Sequence, residues 1–297
     1  MATSRFHDGE LAVQQRAGVR AEADRLGGML APPHLDGGPA RFLGERTFAA
    51  LTGRDPEGRL WTSALVGPPG FLRADATTLR IHALPLPGDP LHDLPVGQAV
   101  GLIVMDYARR RRIRVNGVLV ERGAEGLRVD VEQAFGNCPK YIRPRQLAAD
   151  APQADDGAAT RGATLSAAQR ELLARTETFF LGTTHPDRGV DTSHRGGPAG
   201  FIRVEDGALW WPDYPGNNMF TSFGNLAVDD TAAVLVPDFG TGTSLLLSGR
   251  AAVEWVQPGS AGDDGGTGRR VRFTVQQVAG GPLPVREEPT TPRGAAA

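Results

Sequence analysis

"TFAALTGRDPEGRLWTSALVGPPGFLR" (residues 47–73) and "ETFFLGTTHPDRGVDTSHRGGPAGFIR" (residues 177–203) are one pattern written twice. They align without a gap at an offset of 130: Thr62 and Ser63 fall on Thr192 and Ser193, Gly67 and Pro68 on Gly197 and Pro198, Phe71 on Phe201. Downstream, "VGLIVMD" (Val100–Asp106) matches "AAVLVPD" (Ala232–Asp238), and "RVNG" (Arg114–Gly117) matches "LLSG" (Leu246–Gly249), now at an offset of 132. Collinear agreement of this kind marks a tandem duplication. A period near 130 residues is far too long for a solenoid unit, so each copy is expected to be a domain with its own core.

Within each copy, short apolar or alternating runs such as "TFFLGTT", "AAVLV" and "SLLLSGRAAVEW" stand between Gly, Pro and Asp turns, the pattern of a β-barrel or sandwich. "SAAQRELLART" (Ser166–Thr176) opens the second copy as a helix with Ser166 as its N-cap. Asp8–Leu30, with Leu11, Val19, Ala23 and Leu26 on one face, predicts an amphipathic helix ahead of the first. The chain is thus expected to be mainly β with flanking helices, an α+β protein. Residues 1–146 would hold the N-terminal helix and first copy, and 147–163 an Ala-, Asp- and Gly-rich linker. Residues 164–279 would form the second copy, and 280–297 a disordered tail.

Composition narrows the function. A formal charge of -2 lacks the basic excess that nucleic-acid binding needs. No apolar run reaches the roughly 18 residues of a membrane span, and the N-terminus has no hydrophobic signal core, so a cytoplasmic protein without membrane association is expected. The one cysteine, Cys138, rules out an internal disulfide and a cysteine-rich metal site, and the histidines show no metal-ligand spacing. P-loop, G-x-S-x-G and Rossmann glycine patterns are missing. "ARRRRIRV" (Ala108–Val115) reads first as a solvated hairpin and second as a contact for an anion.

"GNNMFTSFGNLAVDDTAAVLVPDFGTGTSLLLSGRA" (Gly216–Ala251) resembles the flavin-binding stretch of the pyridoxamine 5'-phosphate oxidase-like family, whose fold is the FMN-binding split β-barrel. "FGNCPKYI" (Phe135–Ile142), which carries the only lysine, Lys140, beside the only cysteine, resembles a Cys-Pro-Lys segment that closes a domain in some branches. The resemblance implies two tandem split β-barrels and an FMN-dependent oxidoreductase. Such an enzyme moves hydride or electrons between an electron donor and a small-molecule substrate or oxygen. A non-catalytic flavin- or haem-binding protein on the same barrel is the alternative, and FAD or a deazaflavin stays open as the cofactor.

Independently of the family, "NNMFTSFGNLAV" predicts a short helix with Asn217 or Asn218 at its N-cap, and a helix start suits a phosphate. Ser193, His194 and Arg195 on the neighbouring segment add a hydroxyl, an imidazole and a guanidinium. The expected cofactor contacts are Ser193, His194, Arg195, Asn217, Asn218, Ser222, Asn225, Arg250 and Lys140, with His194 as proton donor and Cys138 near the reactive face as candidate catalytic groups. The first copy departs from this cassette. Asp89 stands at Asn217's place, while Ala64 and Leu65 stand at those of His194 and Arg195, so one intact flavin site is expected. Family barrels act as homodimers, and two fused copies resemble such a dimer in one chain, with the first copy as a wall and "FGNCPKYI" reaching across. Further pairing of chains into a homodimer remains open.

Overall fold

A computed structural model of the 297-residue chain describes residues 5–30, 34–136, 138–149, 159–205 and 207–288. The first sheet contains β1 (Phe48–Arg54), β2 (Leu60–Val66), β3 (Leu72–Asp75), β4 (Thr78–Ile81), β5 (Ala99–Asp106), β6 (Arg111–Gly123) and β7 (Gly126–Gly136). After the short strands β8 (Leu147–Ala149) and β9 (Thr160–Gly162), the second sheet contains β10 (Thr178–His185), β11 (Gly189–Gly196), β12 (Arg203–Glu205) and β13 (Ala208–Pro212), then β14 (Thr231–Asp238), β15 (Thr243–Trp255) and β16 (Arg269–Pro282). Strand order runs β2-β1-β5-β6-β7-β4-β3 in one sheet and β11-β10-β14-β15-β16-β13-β12 in the other, with β9 added against β16. All pairings are antiparallel, and the two orders are identical strand for strand. The chain is mainly β and comprises two split-barrel-like copies related by duplication.

The repeat extends to irregularities. The long hairpins β6–β7 and β15–β16 each shift register, at Asn116/Gly117 and at Ser248/Gly249, which correspond at the offset of 132. A Cβ on Gly117 would lie 2.1 Å from the Asp130 carbonyl oxygen, and one on Gly249 2.1 Å from that of Thr274. Only glycine fits a bulge where the partner backbone comes so close.

The copies face each other through β2 against β14 and β5 against β11. A file of hydroxyls crosses the contact: Thr62 to Thr52 at 2.9 Å, Thr52 to Thr192 at 2.6 Å, and Thr192 to the Gly101 carbonyl at 2.7 Å. The expectation of a separate core in each copy needs correcting. Phe180, Leu235, Phe239 and Leu246 of the second copy belong to the buried cluster of the first, because strands at the contact are apolar on both faces.

Three further expectations are corrected. Asp8–Leu30 is α1 (Asp8–Arg16), α2 (Arg20–Leu26) and a 3-10 turn (Gly27–Leu30) rather than one helix. Gly18, at φ +70, ends α1 with its N–H on Gln15 and that of Val19 on Gln14, a Schellman closure. The tail beyond Gly280 is ordered as far as residue 288: Leu283 and Val285 are buried, and β17 (Val285–Glu287) pairs with β8. The linker accordingly begins and ends in the strands β8 and β9, while residues 150–158 and 289–297 lie outside the described residues. Helices α3 (Gly38–Gly44) and α4 (Ala167–Arg175) precede the two sheets, and Ser166 caps α4 in a capping box as expected. Among the described residues no helix is long and apolar enough to cross a membrane.

Candidate functional site

After the turn at Tyr107–Arg110, the alternation of β6 turns Arg112 and Arg114 away from exposed Arg111 and toward the second copy. There Arg114 pairs with Asp191 of β11 at 2.8 Å, and Arg112 donates to Nδ1 of His194 at 2.8 Å. Arg195, next on β11, lies 4.0 Å from Asp213 and over the Phe223 ring at 5.2 Å. Asp213 in turn accepts from Arg269 at 2.9 Å. Arg112 makes no ion pair among the described residues.

These groups wall two adjoining cavities between the copies, of about 640 and 480 Å³ with their mouths included, which share Arg114, Arg195, Tyr214, Gly216 and Asn217. The larger is bounded by Cys138, Lys140 and Tyr141 from the end of the first copy and by Trp211 from the second. The smaller ends at the start of α5 (Thr221–Val228) and at Arg269. The segment Cys138–Tyr141 therefore does reach across. A Cβ on Gly196 would stand 2.0 Å from the Tyr141 carbonyl oxygen, and the Tyr141 ring stacks on Tyr214 at 5.1 Å. The close fit requires glycine at 196.

The electrostatics are lopsided. Arg112, Arg114, Lys140, Arg195 and Arg269 stand against the carboxylates of Asp191 and Asp213. Burial, reinforced by Arg114 and Arg195, lowers the Arg112 guanidinium to about 9. Burial also pushes Asp213 above the usual carboxylate range, although Arg195 and Arg269 oppose it. Four donors in the cavity walls, Nε of Arg112, Arg114 and Arg195 and Nε1 of Trp211, are buried without an acceptor among the described residues. Orphaned donors beside excess positive charge match an anionic, acceptor-rich ligand.

The expected site residues divide. Arg195, Asn217, Lys140 and Cys138 line the larger cavity, and Asn218 and Ser222 the smaller. Ser193 is fully buried behind them, donating to the Leu181 carbonyl and accepting from Ser222. Asn225 faces the opposite way, bonded to His7 at 3.1 Å and Thr183 at 3.0 Å, because α1 packs on α5 where Gly9 and Gly224 allow close approach. Arg250 is on the exposed face of β15 and pairs with Asp230. Neither Asn225 nor Arg250 reaches the cavities.

Two local expectations are also corrected. Asn217 is not the N-cap of α5; its side chain accepts from the Met219 N–H at 3.1 Å in an Asx turn, and left-handed Phe220 precedes the helix without a side-chain cap. His194 is no proton donor. An arginine can only donate, so Nδ1 accepts from Arg112, and Nε2–H donates to Thr178 at 2.7 Å. Burial first, then the charges of Arg112 and Arg195, holds its pKa well below the usual histidine value, and the ring is neutral.

Sequence reasoning missed Arg112 and Arg114 as site residues, along with Tyr141, Tyr214 and Arg269. The only advance trace of the two arginines was the anion alternative for "ARRRRIRV". Among the described residues no group of three or more His, Cys, Asp or Glu side chains is placed to hold a metal ion.

No protein-family model matches the chain, and no curated protein matches it. Among solved structures, it is similar to a pyridoxamine 5'-phosphate oxidase-like protein of Lactobacillus delbrueckii (14% identity, 39% of this chain and 93% of that one, TM-score 0.32). It is similar also to the FAD-binding protein of Mycobacterium smegmatis (16%, 42% and 97%, TM-score 0.28) and to HutZ, the heme storage protein of Vibrio cholerae (12%, 38% and 91%, TM-score 0.28). With TM-scores near 0.3, these likenesses leave the reading of the site to its own geometry.

Proposed function

We propose that the chain binds one FMN in the cleft between its two copies and acts as an FMN-dependent oxidoreductase. The observation that carries this reading is the set of four buried donors without an acceptor among the described residues, on side chains that line a cavity with more cations than carboxylates. Arg114, Arg195, Arg269 and the uncapped first turn of α5 would hold the phosphate. Arg112, Lys140 and Trp211 would face the acceptor-rich remainder, with the Tyr141–Tyr214 pair at one wall. When bound, FMN supplies hydride and electron transfer.

The chain's own part is to bind, orient and exclude water. Neutral His194 orients Arg112 and delivers no proton. Cys138 is half-buried in the cavity wall and Lys140 is at its exposed rim, so Lys140 is the group best placed to meet an anionic substrate at the mouth. Electron donor and substrate are small molecules entering there. A haem held by His194 is disfavoured, since both ring nitrogens are engaged.

The deciding experiment is the visible spectrum of the purified protein, followed by heat release and mass identification of the chromophore. Flavin bands at one FMN per chain, lost in the Arg195→Ala/Asn217→Ala double variant, support the reading. A colourless protein that takes up no added FMN, or a Soret band, overturns it. Reduction of the bound flavin by a nicotinamide donor and reoxidation by a small acceptor then separate an enzyme from a carrier.

A further inference from the structure

The duplication carries the cleft's geometry to a second place. Ala64 and Val66 of β2 correspond to His194 and Gly196 of β11, and Ser244 and Leu246 of β15 correspond to Arg112 and Arg114 of β6. Val131 faces Gly117 and Val275 faces Gly249 at the shared bulges, so Pro282 and Pro284 fall where Cys138 and Lys140 stand. These six residues all line one further cavity, of about 530 Å³ with its open mouth included, the counterpart of the cationic cleft. The degenerate copy has therefore kept a hollow and changed its chemistry.

Apart from Ser244 and Asp89 the side chains that line that hollow are aliphatic or glycine, and among the described residues Asp89 is the only charged one lining it. One carboxylate oxygen of Asp89 accepts from Ser63 Oγ at 2.6 Å and from the Leu91 N–H at 2.8 Å, which fixes the group in place. Among the described residues Asp89 makes no ion pair. Arg161 donates to the Gly88 carbonyl instead, at 3.5 Å, and Nδ1–H of His92 donates to that of Pro85 at 2.7 Å. Burial raises the Asp89 carboxyl to about 6 despite its two donors and the charges of Arg161 and His92. Where the cleft sets several cations around an acceptor-rich ligand, its counterpart sets one anion in a hydrocarbon wall.

We propose that this cavity is a second ligand site, selective for a small apolar primary amine whose ammonium pairs with Asp89 and whose hydrocarbon body lies against Leu246, Val66 and Ala64. A desolvated ion pair supplies the selectivity and the aliphatic wall the affinity. The site is independent of whether the cleft holds FMN.

Binding of n-hexylamine, 1-hexanol and hexanoate to the full chain, measured by calorimetry at mildly alkaline pH, tests the proposal. Hexylamine is expected to bind at least about tenfold more tightly than hexanol, with hexanoate weakest. Asp89→Asn keeps an oxygen for Ser63 and Leu91 and should erase the preference. Ala64→Phe fills the cavity and should remove both amine and alcohol binding. Failure of hexylamine to bind, equal affinity for amine and alcohol, or a preference that survives Asp89→Asn overturns the proposal. Should Ala64→Phe not fold, the near-isosteric Asp89→Asn decides alone.

Discussion

The two cavities occupy equivalent places in a duplicated frame and have opposite chemistry. Strand order, the paired bulges and the turn glycines are common to both. Around the cleft stand Arg112, Arg114, Lys140 and Arg195; around its counterpart stand Ser244, Leu246 and Pro284, while Leu65, at the place of Arg195, lies in the buried core. Backbone register determines that there is a hollow, and a handful of side chains determines what enters it. The caps differ too. Gly216–Val228 ends in α5 and is held down by α1, whereas residues 87–98 of the first copy form only turns, as Pro87, Pro90 and Pro95 dictate.

The comparison is sharpened most by making the cleft resemble its counterpart. Arg114→Leu installs the residue found at 246 and leaves Asp191, 2% exposed, without its cation. Breaking a buried pair in this way costs about 3–5 kcal/mol of stability. Chemical denaturation should record that loss, and Arg114→Leu/Asp191→Asn should recover much of it by removing the stranded charge. A single variant as stable as the parent would mean that Asn116 and Ser222, which also bond to Asp191, suffice.

A smaller effect is expected at Arg112, whose only side-chain hydrogen-bond partner among the described residues is the neutral His194. Arg112→Ser, again the counterpart's residue, should leave folding nearly intact. It should weaken FMN by the worth of one charge-assisted hydrogen bond, about 1.5–3 kcal/mol or roughly ten- to a hundredfold in Kd. Titration of apoprotein with FMN checks it. An unchanged Kd would remove Arg112 from the site and reduce the contrast between the cavities to Arg114 and Arg195.

How much of this was legible beforehand depended on where the information resides. The strand-rich copies and the Ser166 cap are local patterns, and the aligned Thr-Ser, Gly-Pro and Phe positions expose the repeat. Arg195 and Asn217 followed from the cassette around the predicted helix, and Lys140 and the reach of "FGNCPKYI" from the family resemblance; all of them line the larger cavity. Arg112 and Arg114 did not, because a run of arginines shows the period of its strand but not which face another sheet will cover. Asn225 and Arg250 failed for the same reason in reverse: α1 covers the first, and solvent meets the second. The strand at Val285 was read as part of a disordered tail, because its partner β8 lies 136 residues earlier, in a stretch whose composition reads as linker.

The last expected effect concerns the counterpart alone. Burial raises the folded-state pKa of Asp89 from 3.8 to about 6, so folding favours the protonated form. For a raised carboxyl the contribution to stability is complete below 3.8 and is lost as pH rises through 6. Asp89→Asn has no charge to desolvate and preserves an acceptor for Ser63 and Leu91. The variant should therefore match the parent in strong acid and exceed it at neutral pH by about 1–3 kcal/mol, the upper figure being the whole shift at 1.36 kcal/mol per unit. Urea midpoints across that interval measure the difference. A parent that stays equal or superior at neutral pH would place a compensating cation beside Asp89 and turn the hollow back into a structural ion pair; the predicted gain, cancelled when hexylamine is added to the parent, would instead mark a carboxylate kept at a stability cost for a ligand.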